Sequence, residues 1–220
     1  MNSELCVCID SDDWMPNDGV ENIIRFWDTH GTSLYAGIIG LDFYNNNEPI
    51  GGFFPDHLKE SYIYNLYKWH HGDVKMVHRV DLLKKYTPIE LYPGEKFANP
   101  IYIYMLVDLS LPMLITNHNF CYVEYQENND SMSKNILYQF AQSPRSFARI
   151  RLLNMGNTQL AYRRRFRNAI HYISSCLLSH DRDWFKNSPM KISTILAVPF
   201  GIFLYCYIKY QLSNNKTAYH

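Results

Sequence analysis

Apolar residues run without interruption from Leu5 to Ile9 and stop at Asp10, Ser11, Asp12 and Asp13, the pattern of a short buried strand ending in an acidic turn. Val20, Ile23, Ile24 and Trp27 then recur at i, i+3, i+4 and i+7, which predicts a helix with one apolar face. Asp18 and Glu21 stand ahead of it at capping-box spacing, with Asp in place of Ser or Thr, and Gly31 stops it. Leu34 to Ile39 predicts the next strand, followed by a polar loop through Asn45, Asn46, Asn47 and Pro49 that Gly51 and Gly52 prolong. Residues 57 to 69 read as a tyrosine-rich helical or irregular stretch, and Val74 to Val80 as a strand feeding a short helix over Asp81 to Tyr86. Asn99 and Pro100 suit the N-cap and first position of a helix through Asp108. Met113 to Thr116 and Cys121 to Tyr125 read as a pair of edge strands around Asn117 and His118.

Beyond Asp130 the pattern turns helical. Ser143 and Pro144 open one helix, residues 161 to 178 form a second with Phe166, Ala169, Ile170, Ile173 and Leu177 on one face, and Ser188 and Pro189 open the last. Strands alternating with helices make the front of the chain α/β. Its first strand is unusual in having no partner before it, since parallel neighbours come from earlier βαβ units.

Charge follows the same division. The formal net charge of the 220 residues is zero, which speaks against nucleic acid as a partner. Yet residues 1 to 60 hold eleven acids and two bases (net −9), 61 to 133 hold eight and six (−2), and 134 to 220 hold two and thirteen (+11). Such asymmetry points to different partners at the two ends. We therefore expect two parts, 1–133 and a basic helical tail 134–220.

The tail carries two further features. Arg163, Arg164, Arg165 and Arg167 open the helix over 161 to 178, and a basic helix with a greasy face suits an anionic membrane surface as well as an ordinary core-packed position. Ile192 to Ile208 are seventeen uncharged residues, short of the roughly 20 that a spanning helix wants, with Pro199 and Gly201 interrupting near the middle. A re-entrant or interfacial segment, or a helix packed on its own domain, is the expected form. Membrane contact is expected within 161–210.

Five cysteines (Cys6, Cys8, Cys121, Cys176 and Cys206) fit no disulfide framework and include no CxxC pair, so they read as reduced thiols. Cys6 and Cys8 share one face of the first strand and read as small buried residues. Without a basic segment and apolar core at the N-terminus, a cytoplasmic location is expected, peripheral at the inner face of the membrane.

The acidic turn bears the chemistry. Asp10 and Asp12 alternate with a small residue at the carboxyl end of a strand, where open α/β sheets bind ligands. Two carboxylates so placed suit one hard divalent cation with positions left for phosphate oxygens. The other reading is a solvated cluster at a helix N-terminus. An EF-hand is excluded, because Trp14 occupies a ligand position and no glycine turns the loop.

Ile9-Asp10-Ser11-Asp12-Asp13-Trp14-Met15-Pro16-Asn17 resembles the DxD segment of family 2 glycosyltransferases. Three further segments follow in that family's order. Gly72 to Tyr86 looks like the central strand and helix of bacterial members acting on cell-surface polysaccharides or teichoic-acid-like polymers. Gly94-Glu95-Lys96-Phe97 is similar to the segment carrying the catalytic acid, and Tyr122-Val123-Glu124-Tyr125 with Asp130-Ser131-Met132-Ser133 to the closing strand and its polar tail. The resemblance covers residues 5 to 155 and implies a GT-A (Rossmann-like) fold, here a partial sheet with a C-terminal helical extension. It also implies Mg or Mn, a nucleotide-diphosphate sugar donor, a glycan or lipid-linked acceptor, and inverting transfer. Asp10 and Asp12 would face metal and diphosphate, with Asp13 a further donor-binding candidate. Glu95 would be the general base, with Asp73 the alternative, because inversion needs a carboxylate near the acceptor hydroxyl. Lys96 departs from the usual acidic pair.

The family places nucleotide-binding units before the DxD, where this chain has only a few residues. The expectation is a chain corresponding to the back part of a transferase, from a truncated or split gene, inactive alone. A non-catalytic membrane-associated or partner-binding remnant is compatible with the same residues. Asp10-Ser11-Asp12 also looks like the nucleophile loop of haloacid-dehalogenase-type phosphatases, though Trp14 stands where that family has Thr or Val.

Overall fold

The computed structural model describes residues 3–95, 97–124 and 136–217. Lys96, Tyr125, the tail expected over Asp130 to Ser133 and the boundary expected at residue 133 lie outside the described residues. The chain packs as two compact units, Met1–Pro88 with Ile103–Gln126, and Ile89–Tyr102 with Glu127–His220. The segment 89–102, grouped with the acidic front on composition, goes with the helical unit.

The first unit is a mixed α/β structure built on five strands: β1 (Leu5–Val7), β2 (Gly37–Phe43), β3 (Glu60–Ser61), β4 (Val74–Arg79) and β5 (Met113–Tyr122). Their order is β1-β4-β2-β5-β3, parallel only between β2 and β5. All seven residues of β2 are buried, as expected of a central strand covered on both faces. Helix α1 (Gly19–His30) packs one face through Ile23 and Trp27, which join Ile38, Val77, Leu114 and Phe120 in a core cluster. Helices α2 (Ile63–Leu66) and α3 (Val80–Leu83) are single turns, and α4 (Ile101–Asp108) is primed by Asn99, whose Oδ1 accepts from the Ile101 amide at 2.9 Å.

Three expectations for this unit are corrected. The first strand is a half-buried edge, Leu5–Val7, paired antiparallel to β4, with Cys6 half-buried and Cys8 exposed rather than both inside. The two edge strands expected after residue 112 are one strand, because Asn117 is not a break. Its side chain accepts from the Phe54 amide at 2.8 Å and donates to the Phe54 carbonyl at 3.1 Å, substituting for a neighbouring strand where the β2/β5 register shifts. Asp18 occupies the N-cap of α1 but makes no side-chain cap bond, and only half the predicted apolar face is used: Val20 and Ile24 are exposed.

The second unit is helical: α5 (Ile136–Gln142), α6 (Pro144–Gly156), α7 (Tyr162–Ser179), α8 (Trp184–Asn187) and α9 (Lys191–Thr217). Ala148, Met155, Ala169, Tyr172, Cys176, Met190 and Ala197 form its core, so the apolar face of the arginine-rich α7 is spent on α6 and α9. Pro199 does not interrupt the last helix, which runs unbroken for 27 residues. Its Pro199 lies on an exposed face of the helix. By length and composition α9 could cross a membrane.

Candidate functional site

The acidic turn, Trp14, Tyr122, Lys75 and Asp42 come together on the first unit's sheet, and only some of them are residues the sequence singles out. The loop after β1 turns tightly, with the Asp13 amide donating to the Asp10 carbonyl at 3.1 Å. Trp14 then bridges antiparallel to Tyr122 at the end of β5; the amide of each donates to the carbonyl of the other, at 3.2 and 2.7 Å, and their rings stack at 5.9 Å. The Tyr122 hydroxyl donates to Asn47 Oδ1 at 2.5 Å. The aromatic that follows the acidic turn thus anchors it to the sheet.

Inside that anchor, Lys75 from β4 donates through Nζ to Asp13 Oδ2 at 3.2 Å and pairs with Asp42 Oδ2 of β2 at 3.7 Å. Both carboxylates and the ammonium are nearly inaccessible. Burial acts to lower the Lys75 ammonium, but the fields of Asp42 and Asp13 outweigh it and hold the group above its ordinary value. Asp42 goes the other way: burial pushes its carboxyl up to about 7 against the pull of Lys75, with Asp73 and Asp13 adding to the rise. Its Oδ1 has no hydrogen-bond partner among the described residues. Burial likewise pushes the adjacent Cys121 thiol up to about 11, so it is no nucleophile.

Asp10 and Asp12 are exposed on the loop, and neither belongs to an ion pair found among the described residues. Lys75 therefore pairs with Asp13 and Asp42, and Asp10 and Asp12 stay outside that pairing. Two hard carboxylates open to solvent suit a divalent cation that keeps most of its positions for water and phosphate oxygens. No group of three or more metal-ligating side chains occurs among the described residues.

Asp73 is exposed at the start of β4, next to a point where two backbones touch. A Cβ on Gly72 would fall 1.8 Å from the Ile50 carbonyl oxygen, and Gly51, at φ +80°, lies against Gly72. Only glycine fits either place, and the crossing holds the loop after β2 beside Asp73.

Glu95 belongs to the second unit and is a capping residue there. Its Oε1 accepts from the Arg145 amide at 2.6 Å, and its Oε2 accepts from the Ser146 amide at 2.9 Å and the Ser146 hydroxyl at 2.7 Å, satisfying the first turn of α6. Ser143, expected to open α6, occupies its N-cap but makes no side-chain cap bond to it; its hydroxyl accepts from the Phe97 amide instead.

Asp42 and Lys75 are the residues that sequence reasoning missed. Each is a charged side chain inside an apolar strand run (Gly37–Phe43 and Val74–Arg79), and that mismatch was the available signal. Two cavities of the first unit are lined by none of these residues. One of about 370 Å³ runs between β1 and the exposed flank of α1, lined by Leu5, Val7, Met15, Ile24 and Val77. Another of about 520 Å³, near Phe26, Phe54 and Lys59, is lined by none of the predicted site residues. No family model matches the chain, and no curated protein matches it either.

Proposed function

We propose that this chain is the acceptor-side part of an inverting, metal-dependent glycosyltransferase of the GT-A type, inactive by itself. The observation that carries the reading is the division of labour in the acidic turn. Lys75 pairs with Asp13 and Asp42 internally, and Asp10 and Asp12 remain exposed at the strand end. Asp10 and Asp12 would hold Mg or Mn there, and the bound cation would neutralise the diphosphate of a nucleotide-diphosphate sugar as it leaves. Asp13 fixes the loop through Lys75, a supporting part rather than a ligand.

Of the two candidate bases, Asp73 lies in the same unit as the DxD turn, whereas both carboxylate oxygens of Glu95 are engaged at the α6 N-terminus. We assign the acceptor proton to Asp73. The outer edge of β1 is open, and the adjoining apolar groove gives a nucleotide-binding half a surface on which to add its strands. The acceptor in this reading is a glycan or lipid-linked molecule, met from the cytoplasmic side by a peripheral protein.

Calorimetric titration with UDP, GDP and CDP, with and without Mn²⁺, tests the site. Metal-dependent binding of at least one diphosphate, lost in Asp10→Asn and Asp12→Asn, is expected. Absence of any Mn²⁺ binding, with or without a diphosphate, at millimolar concentration overturns the assignment of Asp10 and Asp12, and sugar transfer by the purified chain alone overturns the claim that it is inactive by itself.

A further inference from the structure

The last helix is built inside out. The stripe that α9 turns toward its own unit is small or polar through the middle of the helix, with Thr194, Ala197 and Gly201 buried there and Ile208 the one large apolar residue buried on it further along. A Cβ on Gly201 would meet the Ile173 Cβ at 2.5 Å and the Ile170 carbonyl oxygen at 3.0 Å, so α7 and α9 cross with backbones close together. The opposite stripe carries the bulk: Ile192 is 76% exposed, Leu196 58%, Phe200 56%, Phe203 75% and Tyr210 62%. An amphipathic helix of a globular domain does the reverse. Only 28% of the most apolar stretch of α9 is buried. The large side chains make a continuous ridge along one helix, far more than the singly scattered apolar residues of an ordinary surface.

Charge indicates what covers the ridge. Residues 134 to 220 hold thirteen bases and two acids. Arg163 and Arg167 are exposed on α7, which packs on α9, and Lys209 is exposed at the end of the apolar run. An apolar ridge with a cationic surround complements a bilayer surface bearing anionic phospholipid.

Geometry decides between crossing the bilayer and lying on it. Phe166 of α7 meets Phe200 at 6.5 Å, and Ile173 covers Gly201, so α7 is fastened to the middle of the uncharged run. A spanning α9 would carry α7 and its arginines into hydrocarbon, where each unpaired guanidinium is costly. Length alone does not decide: the uncharged run of 17 residues, about 25 Å at 1.5 Å per residue, is at the short end of what spans a core of about 30 Å, and the fastening of α7 is what argues against crossing.

We propose that α9 lies in the plane of an anionic membrane surface, its Ile192, Leu196, Phe200 and Phe203 ridge sunk among the acyl chains and Arg163 and Arg167 on the headgroups. The membrane contact thus passes from α7, whose apolar face is core, to α9. The inference rests on the second unit alone and is independent of the transferase reading; its test involves no sugar transfer.

Flotation of the purified full chain with phosphatidylcholine vesicles, with and without phosphatidylglycerol, is the experiment. Binding to the anionic vesicles is expected, about tenfold or more stronger than to neutral ones, with loss of about tenfold in Arg163→Glu/Arg167→Glu. Leu196→Glu/Phe203→Glu should abolish binding while leaving the circular dichroism spectrum unchanged, since both side chains are exposed. In Phe203→Trp, quenching should be strongest with bromines near the headgroups. Absence of binding, equal binding to neutral vesicles, an unchanged ridge variant, or strongest quenching from deep bromines each overturns the proposal. A wild-type dimer that ignores vesicles and becomes monomeric in the ridge variant would assign the ridge to a second copy instead.

Discussion

Lys75 supplies within the protein part of the positive charge that an acidic cluster otherwise draws from solution, and Asp10 and Asp12 are the carboxylates it does not reach. That distinction was half legible in the sequence. Asp10, Ser11, Asp12 and Asp13 are contiguous, so their proximity needs no fold. The pairing of Asp13 with Lys75 spans 62 residues and exists only because β4 passes beside the turn. Glu95 makes the same point in reverse. Its position before a helix was visible, but its engagement with Arg145 and Ser146, 50 residues on, was not. Glu95→Ala should lower unfolding stability in urea by about 1–2 kcal/mol through loss of the α6 cap, with Gln recovering part of it as an acceptor. Unchanged stability in Glu95→Ala would count against the capping role and return the residue to the catalytic candidates.

Among the elements, those with a strong local period were legible and those depending on neighbours were not. Helix α7 was expected over 161 to 178 and spans Tyr162–Ser179, because its apolar positions repeat at helical spacing. Strand β5 was split in two because Asn117 and His118 read as a turn, and only the bonds from Asn117 to Phe54 carry the strand through. In α9 the apparent breakers act oppositely once packing is known. Gly201→Ala, a gain in an isolated helix, should destabilise by about 1–3 kcal/mol, since the new Cβ meets Ile173 at 2.5 Å. Pro199→Ala, on an exposed face, should stabilise by about 1–3 kcal/mol. Thermal unfolding of both variants checks the pair; equal signs would show that the α7 and α9 crossing is looser than described.

For the whole molecule, stability against pH is a balance of buried groups with opposite signs. Asp42 is raised by burial from 3.8 to about 7 and Asp108 to about 6, so each favours folding below pH 4 and loses that contribution as pH rises through its folded value. Burial lowers His78 and His171 from 6.5 to about 4, and they favour folding above pH 6.5 and lose that contribution on acidification. Between these values the two slopes oppose, which makes single variants more informative than the total. The stability of Asp42→Asn minus that of wild type should climb by a few kcal/mol, at most, from pH 4 to pH 7 and then level off. A difference independent of pH in urea titrations would show that Asp42 stays ionised. The sequence by itself determined the α/β front, the helical rear, the acidic turn and the opposite charges of the two ends, because periodicity, contiguity and composition are local properties. That β1 is an open edge, that Lys75 pairs with Asp13 and Asp42, that Glu95 is a cap and that α9 faces outward follows from packing. Each of these depends on which distant segments exclude water from which side chains, and no local pattern records that.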